Sequence, residues 1–529
     1  MNDNSSVSTT PFDPVPLLFL APALDSEFLA FLKEVHRLGI ANPAVIAAID
    51  ADLDLHGQRK KALRIADAQW NEAQRQRLST PDGVPIVPIT PITVPPPESL
   101  HLGVGRPRTA AYVVYLFIAA RGYFGGFKSA AATTLMLESV TLLVFLVNEG
   151  LELPGRSTLT ELVNAVSSAT REKLLDLQIA AVLGEGWDDG KMMTEDSTAV
   201  EGNVLWPTES RLMVDLLARL WTWGGRLDRL GLPKFGEPRV AKLLGALSSI
   251  DREISLGVGR RLRASVRRCL YRKMLKKARR AIELVAPQVA RCRQALEALD
   301  VLPSQRVRTA KVVQRLQTDL ENLERVVQCC EARVLRDETV PVDEKVLSVS
   351  DPDVGFIAKG GREPVVGYKP QLARSGNGFI TGLIVPQGNA SDSCQLVPMF
   401  EQVVKRTGVI PSTVSVDDGY SSRRGRATLL ARGVKVVSIS GSKGKKIIPA
   451  ADWDSEDYAV ARDYRSAVES LMFTIKYGFD FGRVARRGLE NVRVELLEKV
   501  LAYNFCRLAA CRQAAKEQKE QEQSLAVAA

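Results

Sequence analysis

Hydrophobic residues recur at two different spacings along the chain, and the change of spacing divides it into a helical part and a mixed part. A spacing of three to four residues predicts amphipathic helices at 24–75, more helices at 106–185, and helices throughout 208–336. Between them, the change of character at 191–206 predicts a strand. From residue 345 onward, short β-branched runs bounded by Gly, Pro or Asp predict further strands.

Strands and helices are predicted to alternate in the second half of the chain. The predicted strands are Val346–Asp351, Gly378–Pro386, Thr413–Asp418 and Val434–Ser440. The predicted helices cover residues 394–406, about 458–476 and about 492–513. This alternation predicts an α/β core, followed by a polar, frayed tail.

Composition excludes several classes of protein. Of 529 residues, 45% are hydrophobic and 25% charged, as in ordinary globular proteins. Seven cysteines form no CxxC pair and only three histidines occur, which argues against a zinc site or a disulfide framework and fits a reducing cytosol. The apolar stretch Ala110–Ala120 is too short to span a membrane, and Ser129–Val147 carries Glu138, so both are predicted to be buried helices.

Positive charge is concentrated in one segment. The net charge is +10, yet residues 231–338 alone hold 24 Lys and Arg against 12 Asp and Glu. Within it, Arg260–Arg280 carries 11 Lys and Arg in 21 residues. Such a concentration favours a polyanion-binding surface, with a merely solvated helix face as the alternative. A following stripe, from Val312 to Val334, predicts coiled-coil-like packing behind it.

These patterns divide the chain into five segments. They are a helical N-terminal region at 1–105 with a proline-rich linker at 80–98, a helical region at 106–190, an α/β core formed by 191–210 and 340–513, a basic helical insert at 211–339, and a disordered tail at 514–529.

Three acids lie where strand ends or a helix could place them in a site. Asp196 lies in or beside a strand and is followed by small hydroxyl residues, and Asp417 closes an apolar strand. An acid there either caps the next turn or belongs to a site. Glu469 lies on a predicted helix among Val468, Leu471 and other apolar residues, so the sequence does not place its side chain clearly on the solvent-facing side. Two or more convergent carboxylates could hold the two Mg²⁺ ions that phosphodiester cleavage uses.

Three motifs resemble those of bacterial insertion-sequence transposases of the DDE type. The run Asp196-Ser197-Thr198, with Pro207–Ser210 after it, resembles the first-aspartate motif. Asp417-Asp418-Gly419-Tyr420 resembles the second motif, Asp-x-Gly-Tyr, which selects Asp417 over Asp418.

The third motif has the spacing Tyr-x2-Arg-x3-Glu-x6-Lys in such enzymes. Arg465, Glu469 and Lys476 stand at these offsets, whereas the tyrosine position holds Arg462 and a tyrosine, Tyr464, follows two residues later. The likeness spans about residues 155–510 in the order of the family's motifs.

The resemblance implies a ribonuclease H-like catalytic core, a mixed sheet with flanking helices interrupted by the helical insert. It implies that Asp196, Asp417 and Glu469 are catalytic and bind two Mg²⁺ ions, which Mn²⁺ can replace. The expected partners are double-stranded DNA, as transposon ends and as target, and one or more further copies of the chain. No membrane partner is expected, and the expected location is the bacterial cytoplasm, in association with the nucleoid. Residues 106–190 are the expected DNA-end-binding region. The residues expected to contact DNA are Arg465, Lys476, Arg260, Arg261, Arg263, Arg267, Arg268, Arg272 and Lys273.

The expected function is therefore metal-dependent cleavage at transposon ends followed by strand transfer into target DNA. Two alternatives stay open. One is a nuclease on the same core, which cuts without joining. The other is an inactive or domesticated copy that only binds DNA. Arg465 also has two interpretations, because it stands four residues before Glu469 and can pair with it instead of with a phosphate.

Overall fold

The structure is a computed structural model of the chain. It describes residues 26–78, 92–101, 110–125, 134, 136, 138–152, 154–233, 238–259, 263–358 and 363–528. The first 25 residues of the predicted N-terminal region, most of the proline-rich linker, and Arg260 and Arg261 lie outside these ranges.

Helices make up the first part of the chain, as the hydrophobic spacing predicts. They are α1 Ser26–Ala41, α2 Pro43–Leu78, α3 Ala111–Tyr123, α4 Val140–Asn148, α5 Arg156–Ala165 and α6 Ser168–Gly184. After two strands come the insert helices, α7 Glu209–Gly224, α8 Pro238–Gly259, α9 Ala264–Glu297 and α10 Pro303–Cys330.

Strands and helices alternate in the rest of the chain. The strands are β1 Met192–Ser197, β2 Val200–Glu201, β3 Gly355–Ile357, β4 Val365–Tyr368, β5 Gln371–Ser375, β6 Ile380–Ile384, β7 Thr413–Val416 and β8 Val436–Ile439. The helices are α11 Leu396–Thr407, α12 Arg423–Ala431, α13 Ser442–Ile447, α14 Ala450–Trp453, α15 Glu456–Tyr464, α16 Ser466–Gly478 and α17 Leu489–Ala528.

A five-stranded mixed sheet lies at the centre of the second half, in the order β6-β5-β1-β7-β8. β1 pairs antiparallel with β5 and parallel with β7, and β8 continues the parallel side. The central strand therefore comes from the chain before the insert, while both its neighbours come from the chain after it. A small antiparallel sheet, β2-β4-β3, lies beside it.

Helices cover both faces of the five-stranded sheet. One face packs against α11, α12 and α15 in a core that includes Met193, Val414 and Val416. The other face packs against α16, α17 and the N-terminal helices, in a core that includes Leu372. The mixed sheet with flanking helices confirms the α/β prediction at this level.

The insert is a helical bundle with a hydrophobic core of its own. Helices α7 to α10 bury one continuous cluster that is separate from the cores on the two faces of the sheet. The predicted stripe on α10 forms part of it, with Leu316, Leu320, Leu323 and Cys330 buried. The long helix α2 contacts α10, and Trp70 Nε1 donates to Asp300 Oδ1 beyond the end of α9 at 2.9 Å.

Three sequence-based predictions differ from the structure. Residues 346–351 form no strand, because the Ser348 hydroxyl accepts the amides of Ser350 and Asp351 at 3.2 and 3.1 Å and turns the chain. The helix predicted at 458–476 is interrupted at Arg465, whose amide bonds to the carbonyl three residues back.

The tail also differs. Residues beyond 514, predicted to be disordered, continue α17 as far as Ala528. Strong helix formers fill this stretch, and side-chain pairs four residues apart, such as Gln513 with Glu517 at 2.7 Å and Lys516 with Glu520 at 3.7 Å, support the helix.

The apolar stretch Ala110–Ala120 forms most of α3, which is buried along nearly its whole length against α17. Among the described residues, no helix combines the length and apolarity needed to cross a bilayer. Because nearly all of α3 is buried, this helix itself offers little surface to DNA.

A buried ion cluster joins three helices of this region. Arg121 of α3 donates to Glu498 of α17 at 2.7 Å, and Arg171 of α6 donates to the same carboxylate at 2.7 Å. Arg486 approaches to 3.6 Å. Burial alone would raise the pKa of Glu498, but the three guanidinium groups outweigh it and hold the pKa at about 2.

We predict that Glu498→Gln lowers the free energy of unfolding by ~3–5 kcal/mol at neutral pH, because it leaves buried arginines without their counter-charge. Glu490→Gln, on the exposed side of α17, is the control and should change it by less than about 0.5 kcal/mol. A lowered carboxyl pKa stabilises the fold fully above the ordinary value of 4.5 and loses that effect as the pH falls toward 2. The difference between wild type and Glu498→Gln, measured by urea unfolding, should therefore shrink below pH 4.5. A difference that is independent of pH would contradict the role given to this carboxylate.

Candidate active site

Asp196 and Asp417 come to the same edge and the same face of the five-stranded sheet. The parallel register of β1 and β7 pairs Thr194 with Ser415, and the two aspartates stand two residues further along each strand. Side chains alternate along a strand, so both point away from the face that holds Met193 and Val416. Asp196 is 8% exposed, and Asp417 is half-buried just past the end of β7.

The neighbouring acid, Asp418, has a different role. Its Oδ1 accepts the amides of Lys443 and Gly444 at 2.8 Å each, and so holds the first turn of α13. Asp417 Oδ1 accepts only the nearby amide of Gly419, at 2.8 Å, among the bonds found for it within the described residues. This division supports the choice of Asp417 as the site residue and makes Asp418 a structural cap.

Glu469 lies on α16, the helix that packs against β1 on the face to which Asp196 points. The helix buries Val468, Leu471 and Ile475, and the spacing leaves Glu469 on the outer side, where its side chain is 63% exposed. Its Oε1 pairs with Arg465 Nη1 at 3.3 Å. In the structure, Arg465 therefore pairs with Glu469 one helical turn away, which is the second of the two interpretations given for Arg465.

The three predicted metal ligands are not assembled as a metal-holding group. Over the described ranges, no set of three or more His, Cys, Asp or Glu side chains is placed so that it could hold a metal ion. The sheet brings Asp196 and Asp417 to one edge, while Glu469 is held in its ion pair with Arg465.

Two further acids, Glu195 and Asp392, lie near this edge, and the sequence analysis did not single them out. Glu195 is fully buried, and neither of its carboxylate oxygens has a hydrogen-bond partner in the described part of the chain. Burial raises the pKa of Glu195 well above its ordinary value, and the negative charges of Asp392, Asp196 and Asp417 raise it further. The strand ends therefore carry a concentration of carboxyl groups.

A set of polar side chains supports these acids from the α11 side. Asp392 Oδ1 accepts from Gln371 Nε2 at 2.8 Å and pairs with Lys369 Nζ at 2.9 Å. Gln371 in turn accepts the hydroxyl of Tyr420, the tyrosine of the second motif. Burial raises the pKa of Tyr420 well above its usual value, so this hydroxyl stays a hydrogen-bond donor.

Comparison with protein families identifies the second half of the chain. The family described as the transposase DDE domain matches residues 335–505. The chain contains a DDE-type transposase domain. No curated protein and no solved structure gives a significant match. The matched residues include Asp417 and Glu469, whereas Asp196 lies before them on β1, which pairs with β5 and β7 of the matched region.

The basic residues of the third motif lie on the same helix as Glu469 or at its start. Arg465 marks the junction of α15 and α16, is 24% exposed, and has a buried Nε without a hydrogen bond among the described residues. Lys476 is half-buried near the end of α16. Beside this helix, Arg374 and Arg507 line a cavity of about 360 Å³ together with Ser470, Thr474 and several apolar residues, which the sequence analysis did not anticipate.

The basic helix of the insert is α9. It buries one apolar side in the bundle and exposes Arg263, Arg267, Arg272 and Lys273. Arg268 pairs with Asp337, which lies a few residues after the end of α10. The first turns of α9 therefore expose positive charge around the helix, and we call the four exposed residues just named the α9 basic face.

Proposed function

We propose that the chain is a DNA transposase that cleaves at transposon ends and transfers the cleaved strand into target DNA. The observation that carries the proposal is the β1–β7 register, which supports a shared site for Asp196 and Asp417. The mixed sheet with helices on both faces is compatible with a ribonuclease H-like core.

The donor set suits a hard divalent cation such as Mg²⁺, and Mn²⁺ could replace it. Carboxylate oxygens are the ligands that Mg²⁺ takes, and it needs few from the protein. The neighbouring Glu195 is a further buried carboxyl group, whose oxygens have no partner among the described residues and whose raised pKa favours its neutral form. Asp196 and Asp417 would hold the metal, with Glu469 as the third ligand. When bound, two such ions would activate the attacking oxygen and stabilise the leaving one.

The chain's own residues would position the reacting groups. Asp196 and Asp417 extend from paired strands, so their spacing is fixed by the backbone. Asp418 anchors the loop after β7 through the two amides of α13. Arg465 would leave Glu469 and pair with a DNA phosphate, which would free the glutamate for the site. An arginine suits this exchange because its planar guanidinium can donate two parallel hydrogen bonds to a carboxylate or to a phosphate.

A second candidate function is DNA binding without catalysis. It is favoured by the Arg465–Glu469 ion pair and by the lack of an assembled metal-holding group within the described residues. The α9 basic face would serve either function, so DNA binding alone does not distinguish them. Cleavage and its dependence on the cation do.

We predict that Asp417→Asn abolishes cleavage and strand transfer, by at least roughly a hundredfold, because an amide has the shape of a carboxylate without its charge. Binding to transposon-end DNA should persist, since the α9 basic face lies on the separate insert bundle. The measurement is strand transfer with Mg²⁺, alongside a binding assay on the same DNA.

Asp418→Asn is the matched control. Asparagine keeps an Oδ1 that can accept the amides of Lys443 and Gly444, so this variant should retain most of the activity. Loss of activity in Asp418→Asn with retention in Asp417→Asn would show that the wrong acid was chosen. Activity in both variants would contradict a metal site at this strand end, and a wild type that binds DNA without metal-dependent cleavage would favour the second candidate function. Cleavage without joining would indicate a nuclease.

We also predict that the α9 basic face contributes much of the salt dependence of DNA binding. Replacing Arg272 and Lys273 by Gln should make the slope of log K against log salt concentration less negative. The change should be about 0.9 for each phosphate that the protein no longer neutralises. The control replaces Arg291 and Arg293, which are exposed further along the same helix, and should leave the slope unchanged. Equal slopes for both pairs would mean that the α9 basic face is only a solvated surface.

A further inference from the structure

We propose that the edge of the five-stranded sheet carries a second DNA-binding surface, which is separate from the α9 basic face and holds target DNA without regard to its sequence. The surface is formed by Arg423, Arg424 and Lys443, and we call it the α12–α13 rim. This inference rests on the proposed function, whose reaction brings two duplexes together, a transposon end and a target. The rim is the surface assigned to the target.

A second concentration of positive charge, which the sequence analysis did not single out, follows the second motif. Residues 419–451 contain eight Lys and Arg and no Asp or Glu, which gives this stretch of 33 residues a net charge of +8. Its charge per residue exceeds that of residues 231–338, where acids offset half of the bases. Such a stretch favours contact with a polyanion.

The sheet places part of this charge at the edge that holds the two site aspartates. β7 and β8 are parallel, so both strands end at that edge. α12 begins at Arg423, soon after β7, and α13 begins at Ser442, soon after β8. Asp418 joins the two connections, because its Oδ1 accepts the amides of Lys443 and Gly444 at 2.8 Å each. The rim therefore lies beside the proposed cation site and not on the insert.

The rim side chains are exposed and are not neutralised by neighbouring acids. Elsewhere in the same stretch, Arg426 pairs with Asp452 at 2.6 Å. No ion pair joins Arg423, Arg424 or Lys443 to a carboxylate within the described residues, and all three side chains are exposed. Their charge is therefore available to a partner from outside the chain.

Two of the rim charges stand where they do not stabilise the fold. Arg423 and Arg424 occupy the first turn of α12, where the helix dipole already presents positive potential. A cationic side chain at this position opposes the dipole, whereas an acidic one would complement it. The placement therefore favours a role in binding an anion over a role in stability.

Duplex DNA is the polyanion that fits this position. The carboxylates of Asp196 and Asp417 repel the phosphates that flank a scissile bond, and cationic side chains next to them offset that repulsion. Contacts from Lys and Arg to phosphates fix the position of a duplex and carry no sequence information. Residues 419–451 contain no Asn, Gln, Asp or Glu, four of the residue types that read base edges. A transposon end has to be distinguished from other DNA, so this surface is assigned to the target.

The test measures how the full chain binds two duplexes of equal length and unrelated sequence, in EDTA, where no metal-dependent cleavage takes place. The parent protein carries Arg272→Gln and Lys273→Gln, which weaken the α9 basic face. Adding Arg423→Gln and Lys443→Gln should lower the affinity for both duplexes by at least about tenfold near 0.1 M salt. The slope of log K against log salt concentration should become less negative by up to about 1.8, since each lost phosphate contact contributes about 0.9.

The matched control removes the same charge from the same stretch at the opposite edge of the sheet. Arg432 follows the end of α12 and Lys435 directly precedes β8, and both are exposed. Arg432→Gln with Lys435→Gln in the same parent should leave affinity and slope unchanged. The rim variant should also melt at or above the Tm of its parent, because it removes a charge that opposes the dipole of α12.

Unchanged affinity in the rim variant, or an equal loss in the control, would overturn this inference. A loss confined to one of the two duplexes would also overturn it, because the rim would then read sequence. Polyglutamate is the probe for an acidic protein partner, and weaker binding of it with DNA affinity intact would assign the rim to such a protein instead. Absence of metal-dependent cleavage would contradict the proposed function, whereas the affinities of these variants alone decide whether the rim binds DNA.

Discussion

The position of β1 between β5 and β7 is the constraint on which the rest of the molecule depends. β1 precedes the helical insert and both of its partners follow it, so the sheet closes only when distant parts of the chain meet. The same pairing sets the register that carries Asp196 to the side of Asp417. A slip of one residue would turn Asp196 to the opposite face, toward the core around Met193. Fold and site therefore share a single requirement.

The insert can separate β1 from the other strands of the sheet because it does not rely on the sheet for its core. Its four helices bury their own cluster, and α2 connects the insert to the N-terminal helices through contacts with α10 and with the turn that follows α9. The two features of interest therefore lie on two separately packed parts of the molecule, the five-stranded sheet and the insert bundle. The sheet edge gathers carboxylates, whereas the insert carries the α9 basic face. The Glu498 cluster has a comparable role for the N-terminal helices, because one buried carboxylate holds α3 and α6 against α17.

Local sequence predicted what local forces decide. The strands at β6, β7 and β8 and the bundle stripe on α10 follow from side-chain periodicity, whereas the choice of Asp417 over Asp418 came from the resemblance to the Asp-x-Gly-Tyr motif. Asp392 could not be found this way, since it lies in a polar turn and meets Asp417 only through the packing around Gly419. Glu195 could not be found either, because the local sequence gives no sign that this strand residue becomes fully buried in the fold. The Ser348 turn and the break at Arg465 also escaped periodicity, because single hydrogen bonds decide them.

Anomalous diffraction tests most directly whether Asp196 and Asp417 share one cation, as we propose. Crystals of the full chain grown with MnCl₂ would be measured near the manganese absorption edge. We expect an anomalous peak at the strand edge, within coordination distance (~2.0–2.2 Å, the range for hard cations with carboxylate oxygens) of both Asp196 and Asp417. A manganese peak bound elsewhere on the chain, with these two carboxylates free of metal, would contradict the shared site.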